Sequence, residues 1–78
     1  MLSVTGRVDA TKQYMALKWS GAQGSSVDVY RDGAFLKIEA NDGGYTNSRS
    51  LPGAKQYVYK VCQVGTTVCS NNVTVVFP

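Results

Sequence analysis

Five carboxylates, two cysteines and eight basic residues are the chain's main chemical resources, and none of its 78 residues is a histidine. Without an imidazole, neither a Ser/His/Asp nor a Cys/His nucleophile can be assembled. The carboxylates are Asp9, Asp28, Asp32, Glu39 and Asp42. Asp32 and Asp42 stand in turn sequences, where Asp is favoured for its local hydrogen bonds. Asp28 and Glu39 fall on outward-facing strand positions, so no two acids converge and a glycosidase pair has no support. Asn41-Asp42-Gly43 is too short for a calcium loop, which needs several spaced oxygen ligands. A zinc site needs four ligands, and only Cys62 and Cys69 are on offer. Arg31-Asp32-Gly33 is an integrin-type tripeptide, but its Asp-Gly is already required by a hairpin turn. The expectation is a chain that is not an enzyme, with no catalytic residue, metal or cofactor.

Cys62 and Cys69 lie seven positions apart across a turn. They are either two free buried thiols or a cross-strand disulfide; the disulfide suits a hairpin better and implies an oxidising compartment. A two-residue turn at Gly65-Thr66 would set them at a hydrogen-bonded pair. A four-residue loop over 64–67 would set them at a non-hydrogen-bonded pair, where side chains lie closer, and this loop is favoured.

A chain of 78 residues is one small domain, here residues 1–78, and so small a core gains from a covalent staple. Hydrophobic residues make up 44% and charged ones 17%, which excludes a disordered tail. The net charge of +3 comes from basic residues scattered from Arg7 to Lys60, which argues against nucleic-acid binding. No apolar stretch approaches the roughly 20 residues of a membrane helix. Met1-Leu2-Ser3-Val4 enters strand-like sequence at once, with no signal peptide. The expectation is a monomeric module cut from a longer secreted protein.

The elements that position these residues are strands. Glycines at 6, 21, 24, 33, 43, 44, 53 and 65 cut the chain into short segments rich in Val, Tyr and Thr. Residues 2–8 read as a first strand. Residues 13–19 read as a second, with Met15, Leu17 and Trp19 on one face. Asp32-Gly33 is the pair a type I′ turn demands. It pairs Arg31 with Ala34, Tyr30 with Phe35, Val29 with Leu36, Asp28 with Lys37, and Val27 with Ile38. In that register Val27, Val29, Leu36 and Ile38 face the core, and a one-residue slip is disfavoured. A turn at 41–44 and a short segment around Tyr45 follow. Tyr57, Tyr59 and Val61 then share one face of a strand, and Val58, Lys60 and Cys62 the other. The last strand, about 67–77, needs a bulge at 70–72 if Cys69 points out while Val73 points in. The expected core is Val4, Met15, Leu17, Trp19, Val27, Val29, Leu36, Ile38, Tyr57, Tyr59, Val61, Val73 and Val75.

The same register turns Tyr30 and Phe35 outward together, with Lys60 expected alongside on the neighbouring strand. Exposed aromatics can stack on sugar rings or cover apolar protein surface. Tyr30, Phe35 and Lys60 are therefore the candidate binding residues. The plainer alternative is a sheet-face pair that only supports its hairpin.

Leu17-x-Trp19, Val27-x-Val29-Tyr30-Arg31, and Leu51-Pro52-Gly53 ahead of Tyr57-x-Tyr59-x-Val61 resemble fibronectin type III domains. In that family a tyrosine-corner hydroxyl bonds back to upstream backbone; here one residue more than usual separates Gly53 from Tyr57. A closer resemblance spans nearly the whole chain, through Leu2-Ser3-Val4-Thr5-Gly6-Arg7, Trp19-Ser20-Gly21-Ala22, Val27-Asp28-Val29-Tyr30-Arg31-Asp32-Gly33, Gly44-Tyr45-Thr46, and Val61-Cys62 with Val68-Cys69-Ser70-Asn71. These look like the fibronectin-like or immunoglobulin-like domain at the C-terminal end of secreted bacterial peptidases, notably subtilisin-like serine peptidases. That group often has Asp at the position of Asn47. The resemblance implies a seven-strand antiparallel β-sandwich, a bacterial extracellular setting and a non-catalytic accessory role. Its partner would be the parent catalytic domain or an extracellular polymer, protein or polysaccharide. The alternatives are a spacer or secretion-associated domain without a ligand, and a carbohydrate-binding module.

Overall fold

The computed structural model describes residues 1–77 and is all-β. Its strands are β1 (Leu2–Asp9), β2 (Lys12–Trp19), β3 (Ser26–Arg31), β4 (Ala34–Ala40), β5 (Gly44–Ser50), β6 (Gln56–Gln63) and β7 (Val73–Val76). They form two antiparallel sheets, ordered β1-β2-β5 and β4-β3-β6-β7. Alternation along β2 buries Gln13, Met15, Leu17 and Trp19 while Lys12, Ala16 and Lys18 face solvent. That inner face meets Val27, Val29, Tyr57, Tyr59, Val61, Val75 and Phe77 of the other sheet and its C-terminal extension in one apolar cluster. Each such side chain, fully buried, contributes about 1.5–3 kcal/mol of transfer free energy.

Most of the expected core is in place, with corrections at its margins. Leu2 and Phe77 are buried and join it, whereas Val4, Leu36 and Val73 are only partly covered. Gly6 lets β1 approach β7 closely, because a Cβ there would lie 2.6 Å from Val75 Cγ2 and 3.0 Å from Phe77 Cζ. A larger residue there would require the Val75 and Phe77 side chains to shift.

The largest departure is in β4. Arg31 pairs with Ala34 and Tyr30 with Phe35 as expected, but the register then shifts. Val29 faces Lys37, Asp28 faces Ile38, and Val27 faces Glu39. The expected pairs Val29–Leu36, Asp28–Lys37 and Val27–Ile38 do not form. Leu36 is the extra residue of a bulge, and Ile38, expected in the core, is 56% exposed. The physical reason is that β4 is an edge strand with a single neighbour. At the rim its inner positions can be lined by the aliphatic stems of charged side chains. Lys37 Nζ lies 2.8 Å from Glu39 and 5.0 Å from the Tyr45 ring centre in the opposite sheet. The hydrogen bond and charge of Glu39 raise the Lys37 pKa. Glu39 thus sits on the valine side and not, as expected, on the outer face. A bulge with inward-pointing charge is a recurrent way to blunt a sheet edge against pairing with another chain.

At the other end the expected irregularity is present. Four steps from Cys69 to Val73 answer three from Cys62 to Tyr59, which leaves one extra residue within 70–72. The continuous strand is therefore only Val73–Val76, shorter than the expected 67–77. The displaced Asn71 is used structurally. Its Oδ1 accepts from Leu2 N at 2.9 Å and its Nδ2 donates to Leu2 O at 3.1 Å, tying the loop to β1 of the other sheet.

Candidate functional site

The outer face of the four-stranded sheet carries the three candidate binding residues, and the Asp32-Gly33 turn sets their geometry. Asp32 and Gly33 have φ of 54° and 82°, the two positive values a type I′ turn requires. The tip is stitched to β6: Asp32 N donates to Val58 O at 2.7 Å, and Asp32 Oδ1 accepts from Val58 N at 2.9 Å. Tyr30 and Phe35 consequently stand opposite each other, ring centres 6.0 Å apart and planes at 78°. Lys60 faces Tyr30 across β3 and β6, and its Nζ lies 5.1 Å from the Tyr30 ring centre. All three residues are brought together, with Phe35 55% exposed. Ile38, turned out by the bulge, adds a second exposed apolar side chain to this face.

Next to Tyr30 and Lys60 an open depression of about 500 Å³ is lined also by Asp32, Gly33, Val58 and Asn72. Val58 gives its lining an aliphatic side chain, and Lys60, Asp32 and Asn72 add a cation, a carboxylate and an amide. Asp28, on the same face, pairs with Ile38 on one side and Cys62 on the other. Arg31 of the Arg-Asp-Gly tripeptide points away from this surface, its Nη1 donating to Asn47 Oδ1 at 2.9 Å. Arg31 is thus engaged within the chain, whereas Asp32 is exposed at the turn, with one carboxylate oxygen accepting from Val58 N.

Cys62 and Cys69 form a disulfide with Cα atoms 3.9 Å apart. Gln63 N donates to Val68 O and Ser70 N to Val61 O, at 2.9 and 2.7 Å. These bonds flank the cysteines, so they occupy a non-hydrogen-bonded pair closed by the four-residue loop 64–67. Cys62 is buried and Cys69 exposed. Among the described residues, no group of three or more His, Cys, Asp or Glu side chains could hold a metal ion.

Sequence reading missed a network of buried and half-buried amides and hydroxyls. Asn47 Oδ1 accepts from Arg31 and from the Tyr59 hydroxyl, while its Nδ2 reaches the Tyr45 hydroxyl at 3.4 Å. Burial pushes the Tyr59 pKa up to about 12, partly opposed by the Arg31 charge. Buried Gln13 donates to Ala54 O at 2.9 Å and accepts from the Tyr57 hydroxyl at 2.8 Å. Asn41 accepts from Trp19 Nε1 and donates to Ala22 O and Gly24 O, holding the loop after β2. No local sequence signal marks these positions as internal. No protein-family model matches the chain, and no match is found among curated proteins or solved structures.

Proposed function

We propose that the chain is a non-catalytic accessory module of a secreted bacterial hydrolase, a serine peptidase by the resemblance, built as a fibronectin type III-like β-sandwich. Its outer face around Tyr30, Phe35 and Lys60 engages polymeric substrate on behalf of the parent enzyme. The strand order supports this choice of fold. In immunoglobulin constant domains the fourth strand joins the sheet of the first two; here β4 pairs with β3 instead. The Tyr57 hydroxyl, accepting from Ala54 N at 3.1 Å, gives a bond to upstream backbone of the tyrosine-corner kind. A disulfide in so small a domain fits an extracellular setting.

The observation that carries the binding role is Phe35, a large aromatic side chain that stays 55% exposed beside Tyr30. The spacer reading has its own support. Lys60 above the Tyr30 ring and Phe35 edge-on to it satisfy one another without a ligand. Co-sedimentation with insoluble casein, collagen, chitin and cellulose separates the two. The binding role predicts retention by at least one polymer, lost in the Tyr30→Ser/Phe35→Ser double variant at an unchanged melt. Retention by none of them, or equal retention of the double variant, makes the module a spacer.

A further inference from the structure

We infer that the depression beside Tyr30 and Lys60 takes an extended polypeptide segment in which an acidic residue neighbours a bulky apolar one, and not a sugar chain. This deepens the substrate-engaging reading and rests on it. Sugar rings are held by flat aromatic faces that lie open to them. Here the Tyr30 and Phe35 planes stand at 78°, so they cannot floor one platform, and the Lys60 ammonium already covers a face of Tyr30.

The depression matches a peptide better. At about 500 Å³ it lies within the usual size of ligand sites. Its lining combines the apolar Val58 with polar groups of both kinds. Asp32 is an acceptor for peptide N–H groups, and the Asn72 amide can both donate and accept. Lys60 supplies the charge preference. The ion pairs among the described residues are Arg7–Asp9 and Lys37–Glu39, which leaves Lys60 with an aromatic face as its partner. A ligand carboxylate would exchange that contact for an ion pair while the ligand's apolar side chain covers Val58 and the edge of Tyr30.

The test is an amide chemical-shift titration of the 78-residue chain. The probes are the blocked tetrapeptides Gly-Phe-Glu-Gly and Gly-Phe-Gln-Gly, with cellohexaose and chitohexaose as the sugar arm. The Glu peptide should shift the amides of Tyr30, Gly33, Val58, Lys60 and Asn72. It should bind about threefold to fivefold tighter than the Gln peptide, the ratio an exposed ion pair supplies. Lys60→Gln should erase that ratio without altering the melt. Equal affinities for the two peptides, shifts centred elsewhere, or larger shifts from either oligosaccharide would overturn the inference. Retention on casein or collagen without peptide shifts sinks only the ligand class. Retention on no polymer at all sinks the reading beneath it.

Discussion

Asn47 Oδ1 lies 2.6 Å from the Tyr59 hydroxyl and 2.9 Å from Arg31 Nη1, so one amide oxygen of β5 receives donors from β6 and β3 of the opposite sheet. Tyr59 is fully buried and Asn47 nearly so. A buried donor without an acceptor costs about 1–3 kcal/mol, and more when it is charged. The two sheets are therefore locked by a polar contact as well as by apolar packing, and the lock depends on one small side chain.

Asn47→Ala should remove the acceptor of both donors and destabilise the chain by about 2–4 kcal/mol. Asn47→Asp should do the opposite of what burying a charge usually does. Arg31 supplies the counter-charge in place, so the variant should keep the parent's stability near pH 7. It should then lose stability on acidification through the carboxylate range, a loss the parent lacks at this site. Denaturant melts of the three proteins at pH 7 and pH 3 check this. An Asp variant less stable than the Ala variant at pH 7 would show that Arg31 does not pair with the new carboxylate.

The Tyr59 hydroxyl also sets an alkaline limit. Its folded pKa of about 12 stands above the ordinary tyrosine value of 10.0, so the folded state holds its proton more tightly than the unfolded chain does. This contribution is complete below about pH 10 and is lost as pH rises through about 12. A shift of this size corresponds to roughly 2–3 kcal/mol. The denaturation midpoint should fall across that window, and Tyr59→Phe should be less stable at neutral pH yet show a flatter alkaline slope. An identical slope in the Phe variant would assign the loss to other groups.

The strands with strong alternation, the Asp32-Gly33 turn, the disulfide and the break at 70–72 were legible in the residues because each rests on local chemistry. What failed was information held by neighbours. In β5, Gly44–Ser50, Tyr45 is the one large apolar residue and Asn47 faces inward, so a full strand pairing with β2 left little trace in the pattern. The β1–β2 turn puts Ala10 at φ 52°, where glycine would have announced it. In β4 the pattern alone placed Ile38 inside, because an edge strand's freedom to bulge is a property of its position in the sheet. The juxtaposition of Tyr30, Phe35 and Lys60 followed from the turn and survived the bulge, since the shift begins after the Tyr30–Phe35 pair.

The bulge itself can be tested by contrast. Ile38→Lys replaces an exposed side chain and should change stability by no more than about 0.5 kcal/mol. Val27→Ala, at a fully buried position, should cost about 2–3 kcal/mol. In the unbulged register Ile38 would be internal and a lysine there would be ruinous. A large loss from Ile38→Lys in thermal melts would restore that register.

The last prediction concerns Gly53 and the hydroxyl of Tyr57. A Cβ at Gly53 would collide with Gln13 Oε1 and come within 2.9 Å of Tyr57 Oη. The residue is needed because Tyr57 Oη bonds both Gln13 and the Ala54 N–H just beyond the glycine. Gln13 is a buried amide whose other end holds Ala54 O, so the three residues close a small ring of bonds between β2, the loop before β6 and β6 itself. Gly53→Ala should force that ring open and cost about 1–3 kcal/mol, as expected for unmade buried bonds. Tyr57→Phe removes the hydroxyl, should cost about 1–2 kcal/mol, and leaves part of the space that the new methyl needs. The two changes should therefore couple: the double variant should be more stable than the sum of the single losses implies, by about 0.5 kcal/mol or more. Strict additivity in a double-mutant cycle of denaturant melts would mean that the glycine is kept for its backbone alone, and that the Tyr57 hydroxyl does not govern the approach to β6.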